Sequence, residues 1–206
     1  SIFHDSFEDG EHTDPLWIKT GQDGEMQVNT EYSPANGKKA LTLQENGQNS
    51  TSFTADLQQN FNAWEQSWTA RGLYKTETLD KTTSQKHELI LNANQNHDDQ
   101  IHVQLGISNH AGNNLDFRIK DEGLIDSPDG TLVNWQEDTW YSWEIIHDGS
   151  GNYDGRIWEY SDGRPSNADV QASGVTSSEI GSISYRINGT AGRGFRVAHD
   201  YVKLEN

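Results

Sequence analysis

The sequence predicts an all-β fold, an antiparallel β-sandwich or jelly roll, formed as a single domain over residues 1–206. Short segments rich in β-branched and aromatic residues recur along the chain, and turn sequences such as Pro34-Ala35-Asn36-Gly37 and Ser127-Pro128-Asp129-Gly130 separate them. No segment repeats apolar residues at helical spacing over three turns. No Pro/Ser-rich linker and no repeat of about 20 to 50 residues divides the chain, which favours one domain.

The segments predicted to be strands occur in order from one end of the chain to the other. They are Ile2–Phe7, Met26–Glu31, Ala40–Gln44, Thr51–Leu57, Trp64–Tyr74, His87–Asn94, Ile101–Ser108, Leu115–Lys120, Thr131–Trp135, Trp140–His147, Gly155–Tyr160, Ser182–Asn188 and Phe195–Leu204. A helical turn fits only two short stretches, Asp56–Phe61 and Thr176–Ile180.

Alternation within these strands predicts which side of the sheet faces water. Leu115, Phe117 and Ile119, for example, alternate with polar residues, as do the apolar residues of Ile101–Ser108. Such alternation is typical of an antiparallel sheet with one face in the core and one in solvent. In a jelly roll the solvent face of the inner sheet is a long, shallow trough that can bind a ligand. We expect it to be lined by Glu88, Asn92, His102, Gln104, Asp116 and Arg118.

The composition excludes several classes of protein. There are 32 Asp and Glu residues against 15 Lys and Arg, a net charge of −17, so the chain is poorly suited to bind nucleic acid, whose phosphates need cations. No apolar run approaches the ~18 residues of a membrane span. Cysteine is absent, which excludes disulfides and thiolate sites. The acidity fits either a saline environment, where salt screens surface repulsion, or an ordinary acidic surface.

Four segments resemble a known superfamily. They are Ile2–Gly10 with Asp14–Trp17 at the start, Phe195–Leu204 at the end, and Asp138–Ile146 and Arg156–Gly163 with Pro165 between them. Together they are similar to the concanavalin A-like lectin/glucanase superfamily, the middle pair resembling its laminin-G-like members. The resemblance runs nearly end to end, although each piece is short. It implies the jelly-roll fold more than an activity, because the superfamily includes lectins, hydrolases, lyases and inert spacers.

The same resemblance implies a structural Ca²⁺ site that joins the first strand to the last. Here the matching residue of the last strand is Asp200, and the acidic residues of the first are Asp5, Glu8 and Asp9. Ca²⁺ takes six to eight oxygen ligands and accepts carbonyl groups. Asp200 alternates with Val202 and Leu204 and is expected to point inward, where a carboxylate needs a metal, a hydrogen bond or a cation such as Arg196.

Two classes of enzyme occur in this superfamily and could fit the sequence, a retaining glucanase and a polysaccharide lyase. A retaining glucanase needs two carboxylates about 5–5.5 Å apart, and no Glu-x-Asp-x-x-Glu run is present. Alginate-lyase-like jelly rolls resemble the chain at Lys86–Ile90, Gln100–His102 and Tyr185–Gly189, although both arginines of the first motif are replaced. That resemblance implies uronate binding and proton transfer by Gln100, His102, Arg118 and Tyr185. The acidic segment Asp148–Glu159 imitates EF-hand spacing but fits a hairpin loop better, because Tyr153 replaces the required glycine.

The sequence therefore favours a non-catalytic, carbohydrate-binding module with a structural calcium. Its expected partner is a glycan or cell-surface polysaccharide, and its expected location is extracellular, on a cell surface or a virion surface. Two alternatives stay open: a polysaccharide lyase acting on a uronate-containing glycan, and a purely structural domain of a larger surface assembly.

Overall fold

The computed structural model describes residues 3–29, 37, 39–44, 51–59, 61, 66–78, 86–91, 101–107, 115–121, 125–126, 131–132, 136–173, 182–189 and 196–206. The strands in these ranges are β1 (Phe3–Asp5), β2 (Trp17–Gln22), β3 (Glu25–Asn29), β4 (Ala40–Gln44), β5 (Thr51–Leu57), β6 (Trp68–Thr78), β7 (Lys86–Leu91), β8 (Ile101–Ile107), β9 (Leu115–Asp121), β10 (Ile125–Asp126), β11 (Thr131–Leu132), β12 (Trp140–His147), β13 (Tyr153–Glu159), β14 (Val170–Ala172), β15 (Ile183–Gly189) and β16 (Arg196–Glu205).

The strands form two antiparallel sheets. Sheet I has the order β14-β13-β12-β6-β16-β4-β3, with β1 pairing to β16 beside this path. Sheet II has the order β10-β9-β8-β7-β15-β5-β2, with β11 pairing to β9. Neighbours in each sheet are often far apart in sequence, so both sheets are built by long crossovers rather than by successive hairpins alone.

One hydrophobic core lies between the sheets, because every second residue of each sheet points inward. Its centre is a run of aromatic rings. Trp17 of sheet II stacks on Tyr185 with ring centroids 5.5 Å apart, and Tyr185 stacks on His199 of sheet I at 3.9 Å. His199 in turn lies 5.8 Å from Tyr74. These four buried side chains join the two layers directly, so the sandwich predicted from alternation is confirmed.

The predicted strands agree closely with the observed ones, and β4, β5 and β12 have the same bounds in both. The strand predicted at Trp64–Tyr74 begins instead at Trp68. Three strands, β2, β10 and β14, were not predicted. The helical turn expected at Asp56–Phe61 is wrong, since its first two residues end β5, and the one at Thr176–Ile180 lies outside the described residues.

A β-bulge interrupts the pairing of β16 with β6. His199 pairs with Tyr74 and Val202 with Gly72, so Asp200 and Tyr201 together oppose a single residue of β6. Gly72 makes this possible, because a Cβ there would lie 2.6 Å from the Tyr201 carbonyl oxygen and 2.7 Å from the Trp143 ring. The close approach of two strands and a tryptophan ring therefore requires glycine at this position.

Candidate functional site

The strand register of sheet II places polar residues in rows across its outer face. One row runs through Thr54, Arg186, Glu88, Gln104 and Arg118, which are successive Cα partners on β5, β15, β7, β8 and β9. Adjacent strands lie about 4.8 Å apart, so the last four positions of the row span ~14 Å. This length suits an extended ligand rather than a single small group.

A second row lies two residues along the same strands. It consists of Asp56, Ser184, Ile90, His102 and Lys120. Between the two rows on β5, β7 and β15 lie Ala55, Leu89 and Tyr185, which are buried in the core. Because successive residues of a strand point to opposite faces, both rows belong to the face away from the core. We name these two rows, with Asp116, the polar face of sheet II.

Five of the six residues predicted to line a trough occupy backbone positions of this face. Glu88, Gln104 and Arg118 are consecutive partners in the first row, and His102 lies in the second. Asp116 pairs with Gly106 and with Thr131 at the β9 end of the same face. Asn92, like Gln100 of the lyase reading, lies outside the described residues. The register thus brings the five positions together, while their role in binding stays a prediction.

Hydrogen bonds order the β5 end of the polar face. The Asp56 carboxylate accepts a bond of 2.5 Å from the Ser184 hydroxyl and one of 2.9 Å from the Thr54 hydroxyl. Ser184 and Ile90 are buried although they belong to the outer face. Asn188, two residues beyond Arg186, is exposed. The face therefore has a fixed, closed part around Asp56 and an accessible part towards Asn188.

The position of Tyr185 corrects the lyase reading. Tyr185 pairs with Ala55 and Leu89, so it belongs to the inner face, whereas His102 belongs to the outer one. Its ring is stacked between Trp17 and His199, and burial raises the pKa of its hydroxyl. A tyrosine in the core cannot exchange a proton with a substrate on the opposite side of the sheet. The prediction that Tyr185 acts with His102 is wrong.

The predicted calcium ligand Asp5 has a structural role. Its two carboxylate oxygens accept hydrogen bonds from the Phe7 backbone N–H at 2.9 Å and from the Trp17 indole N–H at 2.8 Å. Burial raises the pKa of this carboxyl group, and the two N–H donors counter the rise. Asp5 thereby fastens the first strand to the tryptophan that begins the aromatic run, and both oxygens are engaged without a metal.

The other predicted calcium ligands have different surroundings. Glu8 accepts a bond of 3.1 Å from the Lys39 backbone N–H, and the exposed Asp9 accepts one of 3.0 Å from the Glu11 N–H. Asp200 is fully buried, as its alternation predicted. Among the residues that the structure describes, no three acidic or histidine side chains are grouped to hold a metal ion. The four predicted ligands thus do not converge as a carboxylate cage.

The acidic loop after β12 is a hairpin, as predicted. Asp148 accepts bonds from the backbone N–H groups of Ser150 and Asn152, at 2.7 and 3.2 Å, and from the Asn152 side-chain amide at 2.6 Å. These bonds lower the pKa of Asp148. Its carboxylate closes the turn between β12 and β13, which accounts for the EF-hand-like spacing without a metal.

The sequence analysis missed a charged row on the outer face of sheet I. His4, Lys203, Arg71, Glu144 and Arg156 are successive Cα partners on five adjacent strands. The alternation of β12 and β13 contained the signal, since Glu144 and Arg156 occupy outward positions among apolar neighbours. That the charges lie in one row depends on pairings between distant strands, which the sequence does not show.

Glu144 is the centre of this row. It is fully buried, and Arg71, Arg164 and Arg156 approach its carboxylate at 2.9, 2.6 and 3.6 Å. The bonds from Arg164 and Arg71 hold the pKa of Glu144 below its usual value although burial acts in the opposite direction. Arg71 also contacts Glu205 at 2.6 Å, and Glu205 contacts Lys203 at 2.6 Å. The outer face of sheet I is thus a continuous ion-pair network.

Comparison with known proteins gives a likeness of structure without a likeness of sequence. No protein-family model and no curated protein matches the chain. The structure resembles the cellulose induced protein Cip1, with a TM-score of 0.64, 13% identity and coverage of 98% of this chain and 96% of that one. The exoplasmic/lumenal domain of VIP36, in a Ca²⁺/Man3GlcNAc-bound form, is similar with a TM-score of 0.65 and 11% identity. The match covers 94% of this chain and 84% of that one.

A plant lectin, lectin II from Ulex europaeus, is similar over 92% of this chain and 93% of its own length, with a TM-score of 0.58 and 11% identity. At these identities the likeness shows the fold alone. The described residues contain no helix long and apolar enough to cross a membrane.

Proposed function

We propose that this chain, which has the concanavalin A-like lectin/glucanase jelly-roll fold, is a non-catalytic carbohydrate-binding module of residues 1–206. Its binding surface is the polar face of sheet II, and its ligand is a glycan or cell-surface polysaccharide. The module belongs to a secreted, cell-surface or virion-surface protein, within which it is one part of a larger assembly.

One observation carries this proposal: the uninterrupted row Arg186, Glu88, Gln104 and Arg118 across four strands of sheet II. Amide, guanidinium and carboxylate groups at neighbouring positions suit the hydroxyl groups of sugars, which both donate and accept hydrogen bonds. A surface built on paired strands is also rigid, which reduces the entropy lost on binding. Two similar structures support the proposal, since one is a lectin and the other binds Man3GlcNAc.

A glycan array followed by calorimetry tests the proposal. We expect the intact chain to bind a subset of glycans and Arg118→Ala and Gln104→Ala to weaken that binding at least tenfold, which corresponds to about 1.4 kcal/mol. Glu159→Gln, an exposed charge at the end of β13 in sheet I, is the matched control and is expected to bind normally. Binding to no glycan, or equal affinity of all three variants, would refute the proposal and leave a structural module.

A structural calcium is the second part of the proposal. The support is the full burial of Asp200 on the last strand and the Ca²⁺-bound form of a similar structure. With Asp5 engaged by N–H donors, the site would use Asp200, Glu8 or Asp9 and backbone carbonyls, ligands that Ca²⁺ accepts. We expect added Ca²⁺ to raise the melting temperature relative to EDTA, and less so in Asp200→Asn. An unchanged melting temperature would remove calcium from the proposal without affecting sugar binding.

A further inference from the structure

A cavity of about 350 Å³ opens on the outer face of sheet I, on the opposite side of the molecule from the polar face of sheet II. It is lined by His4, Arg71, Tyr201 and Lys203. Three of these are consecutive in the charged row, since Lys203 pairs with His4 on one side and with Arg71 on the other. Tyr201 enters the wall from the β-bulge of β16, two residues before Lys203. The cavity is therefore fixed by strand pairing.

The charge around this cavity is opposite to that of the whole chain. Around Glu144 and Glu205 are gathered Arg71, Arg156, Arg164 and Lys203. Within the described ranges, the lining itself has two cations, Arg71 and Lys203, and no carboxylate, although Glu205 contacts both of them. The chain as a whole has 32 acidic against 15 basic residues. A local cationic excess in such a protein attracts anions to this one place.

The lining groups retain hydrogen-bond donors. Arg71 uses Nε for Glu144 and Nη1 for Glu205, and within the described part of the chain its Nη2 has no partner. Lys203 has three N–H donors and one carboxylate contact, to Glu205. In the same part of the chain the Tyr201 hydroxyl makes no hydrogen bond; its ring packs edge-on against the His4 ring, with centroids 6.0 Å apart. Several donors thus converge on one concave space.

We propose that this cavity is a second binding site, for the carboxylate or sulfate group of an acidic saccharide. The anionic group would lie between Arg71 and Lys203, and the sugar ring would pack against Tyr201 and His4. A guanidinium edge and an ammonium group are suited to oxyanions. An aromatic ring with a hydroxyl group suits a sugar, and the volume exceeds that of a bare ion and lies at the lower end of ligand pockets.

Calorimetry with three monosaccharides tests this site. Glucuronate carries a carboxylate, glucose 6-sulfate carries a sulfate, and glucose carries neither, so the first two distinguish the two sources of the anion. We expect one or both anionic sugars to bind and glucose to bind at least tenfold more weakly. Binding of the anionic sugars should weaken as salt is raised from about 0.05 to 0.5 M, because salt screens exposed charges.

Variants locate the site. Lys203→Gln is expected to weaken anionic-sugar binding about tenfold, the loss of one charge-assisted hydrogen bond, and Tyr201→Phe to weaken it less. Lys19→Gln on β2 of sheet II makes the same change of charge elsewhere and should bind as the unchanged chain does. Arg71 is left intact in this set, because it also contacts buried Glu144. Melting curves of each variant verify that the fold persists.

Three results would overturn the inference: no binding of either anionic sugar, equal affinity of Lys203→Gln and Lys19→Gln, or loss of the anionic sugar in Arg118→Ala rather than in Lys203→Gln. The last would place the anion on the polar face of sheet II. The inference does not rest on the proposed function, since Arg118→Ala and Lys203→Gln report on opposite faces and either site can fail alone.

Discussion

Replacement of Glu144 by glutamine offers the sharpest test of the energetics described above. The change keeps the shape of the side chain and removes its charge, so three arginines lose a common partner. Arg71 and Arg164 have side chains that are 40% and 45% exposed and can be hydrated again. Arg156 is 8% exposed and cannot. Its charge would retain only the more distant and partly exposed Asp154, at 3.9 Å, and this loss determines the cost. We place the cost at ~3 kcal/mol, the lower end of the range for breaking a buried ion pair.

Urea denaturation measures this cost. We expect Glu144→Gln to lower the midpoint without changing the slope of the transition, and the exposed control Glu159→Gln to stay within about 0.5 kcal/mol of the unchanged chain. In a background of Arg156→Met the buried cation is gone, so the same glutamine substitution should cost about 1–2 kcal/mol less. A cost below ~1 kcal/mol, or an equal cost in both backgrounds, would refute the assignment of Arg156 as the charge that needs Glu144.

The same carboxyl group should contribute to acid sensitivity. The pKa of Glu144 is lower in the folded chain than the unperturbed value of 4.5. The unfolded chain therefore binds this proton at a higher pH than the folded one, and the stabilisation is complete above the unfolded pKa and is lost as pH falls through the folded pKa. We expect the stability difference between the unchanged chain and Glu144→Gln to shrink as pH falls below 4.5. A difference independent of pH would contradict this.

Two further predictions concern packing and pH. Gly72→Ala should destabilise the chain by about 1–3 kcal/mol in urea melts, because the added Cβ would meet a backbone oxygen and an indole ring. Gly163→Ala, which has open space around it, should change stability little. Equal effects of the two substitutions would contradict the packing at the bulge. Burial lowers the pKa of His147 from 6.5, so stability should fall as pH drops below that value. His147→Gln should flatten this dependence in urea melts at a series of pH values, and an unchanged dependence would contradict it.

The sequence alone could predict the two-layered fold but not which strands pair within each sheet. Alternation in β8 and β9 predicted strands with one buried and one polar face, since period two depends on neighbours within a strand. β2 was missed because Lys19 and Thr20 interrupt its apolar pattern; it is a strand at the edge of sheet II. Glu88, Gln104 and Arg118 of the first polar row were predicted, whereas Thr54 and Arg186 were not. Their places follow from the pairings of β15 with β5 and β7, which are separated by long stretches of chain.

The error at Tyr185 has a physical lesson. The short lyase-like motif implied an accessible hydroxyl group, whereas the alternation of Ile183, Tyr185 and Ile187, all three buried in the core, indicates an inward one. The ion-pair network around Glu144 was missed for a related reason. An outward charge on a strand is usually hydrated, and nothing local shows that Arg164, from the loop after β13, covers the carboxylate.

The extra residue at the β-bulge of β16 determines which side chains of the last strand face the core and which face solvent. His199 and Val202 both point inward although two residues, Asp200 and Tyr201, lie between them, which a regular strand does not allow. Deleting Asp200 would restore the regular spacing of two residues, so that Val202 and Leu204 stay in the core while Tyr201 and Lys203 stay on the outer face. A shortened relative could therefore keep both the interlayer ring stack and the cationic wall, and it would lose the buried carboxylate at position 200 and with it the proposed calcium ligand.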